Sequence, residues 1–384
     1  MYIFVAKYLL IPLLVVIATI PAWIVTQIAN KYYEAKALKQ ISTHNPLIIG
    51  ITGSYGKTST KFILGKLLKA KYSVWYSPKS FNTPFSIPKS IATTYAGEEI
   101  MIIEFAAYKR GEIARLTKLF PPKIGIVTGL ASQHLDIFGS FSNIIKAKQE
   151  LPQSLPNKSK LYINHQVPEF DNFINPFKHL SIIKPVNKTI SKLGLTNLQQ
   201  LKFNYQNQAI TTKIIGQHYL SNIELAIAVA HDLNLTPKQI AESLASFKPG
   251  DEFISIQQTQ ANTIIIHDGK TTNPKGFTAA ISLASKIKAT PKLIITSGII
   301  DLGSESSRIH QQLASEIKSD FDYLIDTSAT GQPAFKQILG LKYLTATNLK
   351  SFEKIYQKHL SSNGLLLIEG KIPTPFIDYL TKLI

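Results

Sequence analysis

Two rhythms of apolar and polar positions run along this chain. The first is an unbroken apolar stretch near the start, YLLIPLLVVIATIPAWIVTQIAN over residues 8–30, which carries no charge. Its length matches the ~20 residues that cross a hydrocarbon core. Trp23 sits near one end, where an amphipathic ring suits an interface, and Pro12 and Pro21 would kink a helix without forbidding insertion. Lys7 precedes the stretch, while Lys31, Lys36 and Lys39 follow it. The excess of lysine on the C-terminal side predicts a single-pass anchor in the inner (cytoplasmic) membrane with a cytoplasmic body. The alternative is a buried core helix. A polar linker is expected over residues 34–46.

The second rhythm is short apolar runs separated by helix-like periodicity. Pro46–Thr52, Ile100–Glu104, Lys123–Thr128 and Lys160–Asn164 read as buried strands. Thr58–Lys71 reads as a helix, with Phe62, Ile63, Leu67 and Leu68 on a repeating face. Such alternation predicts a mostly parallel α/β sheet. Residues 165–215 are weaker in pattern, with short alternating runs, and Asn222–Leu233 is again a helix. A second α/β block opens near Phe253, with strands at Thr263–His267, Lys292–Thr296, Tyr323–Asp326 and Leu365–Glu369. Lys248-Pro-Gly250 between the blocks is a natural hinge. The expected divisions are 1–33, 34–249 and 250–384.

Composition adds three restrictions. There is no cysteine, which excludes disulfides, thiolate metal sites and thiol nucleophiles. The 42 lysines and arginines against 24 acidic residues give a net charge of +18, which favours anionic partners. The basic residues are dispersed, however, and no basic stripe or aromatic platform marks a nucleic-acid surface, so no nucleic-acid partner is expected.

The central chemical feature is Gly53-Ser-Tyr-Gly-Lys-Thr58, directly after one predicted strand and directly before a helix. Glycines let backbone N–H groups turn toward phosphate oxygens, and a helix N-terminus adds positive potential. In this reading Lys57 reaches the β- and γ-phosphates and Thr58 offers its hydroxyl to Mg²⁺. The standard spacing G-x-x-x-x-G-K-[ST] is not met, because position 51 is isoleucine; the loop has the shorter form G-x-x-G-K-T.

That shortened loop, within ITGSYGKTSTK, resembles the Mur ligase family, whose members join an amino acid or peptide to a carboxylate at the expense of ATP. Further segments resemble the family in the same order: Ser80–Pro88, Ile102–Ile113, Gln133–Ser140, Ala147–Glu150 and Gly216–Asn222. The wording R-G-E-I and H-L-D-I-F-G-S, with Asp301–Ser306 and His310, is most similar to the branch that adds D-alanyl-D-alanine to a UDP-N-acetylmuramoyl-tripeptide. The resemblance covers about 45–250, and more weakly 251–384. It implies a P-loop central domain followed by a Rossmann-like C-terminal α/β domain, behind the one expected transmembrane helix.

The resemblance also implies roles. ATP would be held by Gly53, Ser54, Tyr55, Gly56, Lys57, Thr58, Ser59 and Asn82, and across the cleft by Asp268, Lys270 and Asn273. Two Mg²⁺ ions would be held by Thr58, Glu104, His134 and Lys148, the last as a lysine carbamylated by CO₂. Lys57, His134 and Lys148 would be the catalytic set. Each has a plainer alternative: a solvent-facing carboxylate for Glu104, a solvated or structural histidine for His134, an ordinary helix lysine for Lys148, a loop-capping amide for Asn82, an Asp-Gly turn at Asp268. The expected chemistry is an acyl phosphate, formed from a carboxylate and the γ-phosphate and then attacked by an amine.

The chain departs from the family in several places. Val127–Gly129 lacks an expected asparagine, Asp251 stands where an arginine is expected after the hinge glycine, and Asn164-His-Gln166 replaces Asn-x-Asp. Lys270-Thr271 replaces a tyrosine–asparagine pair, and Glu369-Gly-Lys371 replaces a basic K-G-S-R end. Only the anchor and linker precede the loop, so the family's N-terminal UDP-binding domain has no counterpart in the sequence. A protein partner or a lipid-linked peptidoglycan precursor is the expected substitute. Two other readings stand beside the leading one: a poly-γ-glutamate synthase-like ligase, and a catalytically degenerate nucleotide- or precursor-binding subunit.

Overall fold

The computed structural model describes residues 11–384, apart from 132–134, 165–166, 168–169, 186–189, 198, 270–272, 329–330 and 361, with side chains from residue 19 onward. Its core is two six-stranded sheets. In the first, β1 (Leu47–Thr52), β2 (Val74–Tyr76), β3 (Ile100–Glu104), β4 (Ile124–Val127), β5 (Lys160–Ile163) and β6 (Ser181–Ile183) are all parallel, in the order β2-β3-β1-β4-β5-β6. β1 is central, and its residues Ile48 to Thr52 are all buried, which is why it reads as a continuous apolar run rather than an alternating one.

A small antiparallel sheet follows: β7 (Ile190–Leu195), β8 (Gln200–Tyr205) and β9 (Gln208–Ile215). The weak alternation over 165–215 belongs to it. β9 is buried at every second position from Ile210 to Ile214, as a one-sided strand should be.

The second large sheet runs β10-β11-β15-β12-β13-β14, from β10 (Ser255–Gln258), β11 (Ile264–Asp268), β12 (Lys292–Thr296), β13 (Tyr323–Asp326), β14 (Tyr343–Thr345) and β15 (Leu365–Glu369). Only β10 is antiparallel to its neighbour. The last strand inserts between β11 and β12, so the side chains that close the chain's C-terminal strand lie in the middle of the sheet.

The start of the chain differs from expectation in two ways. A helix runs unbroken from Ile11 to His44, through Pro21 and through the segment read as a linker. Its second half is pinned to the body: Ala37 is fully buried, Glu34 pairs with Arg115, and Gln40 donates to the Tyr95 carbonyl. Tyr33 and Ile41 pack with Ala37 against the cluster that holds Ile87, Ile91 and Tyr95, so an apolar stripe holds this polar-looking segment helical. The predicted transmembrane helix over 8–30 is not supported: among the described residues no helix is long and apolar enough to cross a membrane. Residues 8–10 lie outside the described part. What is described instead is a projecting apolar stretch, with Ile20, Trp23, Ile24, Val25 and Ile28 all exposed.

Candidate nucleotide and metal site

β1 delivers the phosphate loop and the helix Lys57–Leu68 carries it away. Gly56 has φ 78°, and a Cβ there would lie 2.8 Å from Asn222 Oδ1, so both conformation and space require glycine. The following helix starts with no side-chain cap. Its first N–H groups therefore remain available to an anion. Lys57 folds back across the loop, with Nζ donating to Gly53 O at 2.8 Å and Ser54 O at 3.2 Å. Burial holds its pKa below the ordinary lysine value, against the pull of Glu104.

Glu104 ends β3 and is 1% exposed. An ionised carboxylate at that depth needs partners, and it has three. Thr58 Oγ1 donates to Oε2 at 2.9 Å, Lys61 Nζ to the same oxygen at 3.2 Å, and Asn82 Nδ2 to Oε1 at 2.9 Å. The plainer reading of Glu104 as a solvent-facing charge is thereby excluded. Thr58 and Glu104 form a pair of hard oxygen donors side by side, the kind of ligand that Mg²⁺ takes. No group of three His, Cys, Asp or Glu able to hold a metal converges among the described residues. A Mg²⁺ here would complete its shell with phosphate oxygens and water, as Mg²⁺ commonly does. His134 lies outside the described residues.

Lys148 sits on the helix Phe141–Gln153 and is 4% exposed, whereas Lys146 on the same helix faces solvent. Burial, then the charge of Lys57, lowers its pKa to about 7, against Glu150, Glu104 and Glu112. On the same helix Glu150 accepts from the backbone N–H groups of Gly111 (2.6 Å) and Ala114 (3.0 Å), fixing this helix against its neighbour Glu112–Leu119.

The opposite wall comes from the second sheet. Asp268 ends β11, and Asn273 caps the helix Pro274–Ser285 by accepting from Gly276 N at 3.0 Å. Lys270 lies outside the described residues. Asp268 is in register with Glu369 at the end of β15, and Glu369 with Thr296 at the end of β12. Glu369 is 1% exposed, and its Oε2 has no hydrogen-bond partner. Burial, then the neighbouring Asp268, raises its pKa well above the usual carboxylate value. Lys275 Nζ approaches the Tyr55 hydroxyl at 3.4 Å, a contact between the two walls.

Every described residue assigned to the site from the sequence borders one cleft of about 1100 Å³: the loop from Gly53 to Ser59, Asn82, Glu104 and Lys148 on one side, Asp268 and Asn273 on the other. Four further residues carry no role from the sequence, Asn222 and Tyr219 in the cleft lining and Lys61 and Glu369 packed behind residues that line it. Lys61 follows Lys57 by one helical turn, which is a usable signal. Asn222 stands in the helix-start segment that resembles the family, but nothing local gives it a role. Tyr219, whose hydroxyl accepts from Ile254 N, and Glu369 owe their place to long-range pairing.

Comparison with known proteins agrees with this geometry. The Mur ligase middle domain matches residues 51–230. The UDP-N-acetylmuramoyl-tripeptide--D-alanyl-D-alanine ligase of Mycobacterium tuberculosis is 28% identical over 284 residues, covering 69% of this chain and 55% of that protein. The chain thus spans about half the length of that curated relative. Among solved structures, MurF from Acinetobacter baumannii superposes with a TM-score of 0.79 at 18% identity, over 92% of this chain and 80% of that one. MurF ligase from Thermotoga maritima in complex with ADP gives 0.77 at 22% identity, over 92% and 83%. At these identities the superpositions speak for the fold, while the family match falls on the phosphate loop, Glu104 and Lys148 together. Residues 51–230 of this chain are thus a Mur ligase middle domain.

Proposed function

We propose that this protein is an ATP-dependent, amide-bond-forming ligase that adds an amino acid or dipeptide of the D-alanyl-D-alanine kind to a peptidoglycan precursor through an acyl phosphate. The observation that carries the reading is the hydrogen bond between Thr58 and Glu104 at the floor of the cleft, beside the uncapped helix start. A nucleotide's phosphates would take the loop N–H groups and Lys57. Mg²⁺ would be held by Thr58 and Glu104, and it would supply charge neutralisation for phosphoryl transfer. Lys148, buried and with its pKa lowered to about 7, has a large unprotonated fraction at neutral pH and so suits carbamylation by CO₂, since the unprotonated amine is the nucleophile. The second wall would close over the nucleotide with Asp268 and Asn273.

The test is release of ADP and phosphate from the full chain with Mg-ATP and bicarbonate. A muramyl-tripeptide acceptor and a panel of amines (D-Ala-D-Ala, D-Ala, L-Glu) would be supplied, with Lys57→Ala as control. Release that needs both acceptor and one amine supports the ligase. L-Glu alone as the productive amine would favour the poly-γ-glutamate-like alternative. Tight Mg-ATP binding without turnover for any pair would favour a degenerate binding subunit.

The protein is further proposed to work at the cytoplasmic membrane face. The exposed apolar run from Ile20 to Ile28, followed by Lys31, supports this placement. Co-sedimentation of the full chain with anionic vesicles, lost in a Trp23→Glu/Val25→Glu variant, is the expected result; equal pelleting of both would count against it.

A further inference from the structure

Lys61 is the most deeply buried cation among the described residues, at 0% exposure. It contacts three groups outside its own helix. Its Nζ meets Glu104 Oε2 at 3.2 Å, Ser77 Oγ at 3.3 Å, and the Lys79 carbonyl oxygen. Ser77 and Lys79 belong to the connection after β2, which also carries Asn82. That connection is held from its other end as well: Asn82 donates to Glu104, and Ser80 Oγ donates to Glu252 Oε2 at 3.3 Å. One ammonium thus joins the helix behind the phosphate loop, the carboxylate at the end of β3, and the segment that presents Asn82.

Burying an ammonium is expensive, and burial indeed draws its pKa below the usual value against the pull of Glu104. A side chain needed only for packing would satisfy the same volume without that cost. The placement is also specific. Oε2 is the oxygen shared with Thr58, so the ammonium and the threonine hydroxyl fix the carboxylate from two sides and leave it one orientation.

We propose that Lys61 is a positioning residue that holds Glu104 and the 77–82 connection in the arrangement that receives a metal–nucleotide complex. This rests on the nucleotide-site reading above. It acts through Glu104 and Asn82 and need not touch the nucleotide.

The alternative, that Lys61 only neutralises a buried negative charge, predicts the opposite sign. Removing a positive charge beside a metal ligand should then leave Mg²⁺ binding unchanged or tighter. The experiment is ATP binding to the full chain measured by calorimetry across a Mg²⁺ titration, for wild type, Lys61→Met, Lys61→Gln and Ser77→Ala, with cooperative thermal unfolding recorded for each. Positioning predicts that half-saturating Mg²⁺ rises about tenfold or more in Lys61→Met. It predicts a smaller rise in Lys61→Gln, which keeps a donor, and about threefold in Ser77→Ala, which loosens the ammonium without removing it. A folded Lys61→Met with unchanged or lower half-saturating Mg²⁺ overturns the proposal. If neither Lys61 variant folds, Ser77→Ala decides: a wild-type Mg²⁺ dependence there overturns it. Failure of the underlying site reading is distinct, because the wild type itself would then show no Mg²⁺-dependent ATP binding.

Discussion

At the end of β3, Glu104 is a carboxylate surrounded by donors: a hydroxyl, an ammonium and an amide. At the end of β15, behind Asp268 of the opposite wall, Glu369 is equally buried, yet its neighbour is a second carboxyl and one of its oxygens has no partner. Both residues close a parallel strand at the carboxyl edge of a sheet, where open α/β folds bind ligands. The first wall is organised in advance around an anion and a hard cation. Its carboxylate is already held by Thr58, Lys61 and Asn82, so a ligand would find that group preorganised. The second wall holds its carboxyl pair at the expense of stability.

The largest effect should come from breaking the first wall. Lys57→Ala removes the cation that lies across the loop carbonyls, and with it the charge that would meet the β- and γ-phosphates. Turnover measured as ADP release should fall about a thousandfold, the scale on which losing a charge stabiliser acts in transfer chemistry. Unfolding temperature should change little, because the two hydrogen bonds that Lys57 Nζ donates both go to carbonyls of its own loop. A variant retaining most of the activity would show that this wall does not carry the chemistry.

Lys148 should show a separable pair of effects. In bicarbonate-free buffer the folded protein holds this lysine at a pKa of about 7, against 10.5 for an ordinary lysine. The folded state therefore binds fewer protons than the unfolded chain between those values. Burial costs stability in full below pH 7, and the cost fades as pH rises toward 10.5. Lys148→Met should raise the unfolding temperature by a few degrees at pH 6 and by less at pH 9. Activity should drop at least about a hundredfold, the scale of losing a group at the reacting centre. In the wild type, activation by bicarbonate should grow as pH rises through 7, because the neutral amine is the form that adds CO₂. Equal activation at pH 6 and pH 8 would argue against carbamylation.

The contrast between the walls also explains what the amino-acid sequence discloses. The first wall is local: strand, loop and helix occupy one continuous segment, so Gly53 to Ser59 are legible from residue order alone. Glu104 is legible because a charge closing an apolar strand is conspicuous. Lys61 is legible only in part: its spacing one turn after Lys57 is a signal, but its partners, Glu104 and the Lys79 carbonyl, come from other segments, and a lysine on a helix usually faces solvent. The second wall depends on where β15 inserts. That topology sets Glu369 beside Asp268, which lies far earlier in the chain, and no short-range pattern encodes such a pairing. The short edge strands β2, β6, β10 and β14 are hidden for a related reason: so few residues give too little period to distinguish a strand from a turn. The helix end at His44 is equally hard to place, because the stripe that docks it, Tyr33, Ala37 and Ile41, is only three residues long and set among lysines and other polar residues.

The smallest predicted effect belongs to Glu369, and its sign makes it informative. The folded protein keeps this carboxyl protonated well above the pH at which an unfolded glutamate ionises, near 4.5. Below that pH both states hold the proton and the group is neutral in the balance. As pH climbs past it, only the unfolded chain ionises and is hydrated, so folding stability declines until the folded pKa is reached. Glu369→Gln keeps the size and a donor toward Asp268 but cannot ionise. The variant should differ least from wild type in unfolding temperature well below pH 4.5, and exceed it by a few degrees at pH 8. If the carboxyl pair serves only the sheet, turnover should stay within about twofold. If turnover falls while stability rises, the second wall maintains its strained pair for the ligand, as the stability–activity trade-off at functional sites predicts.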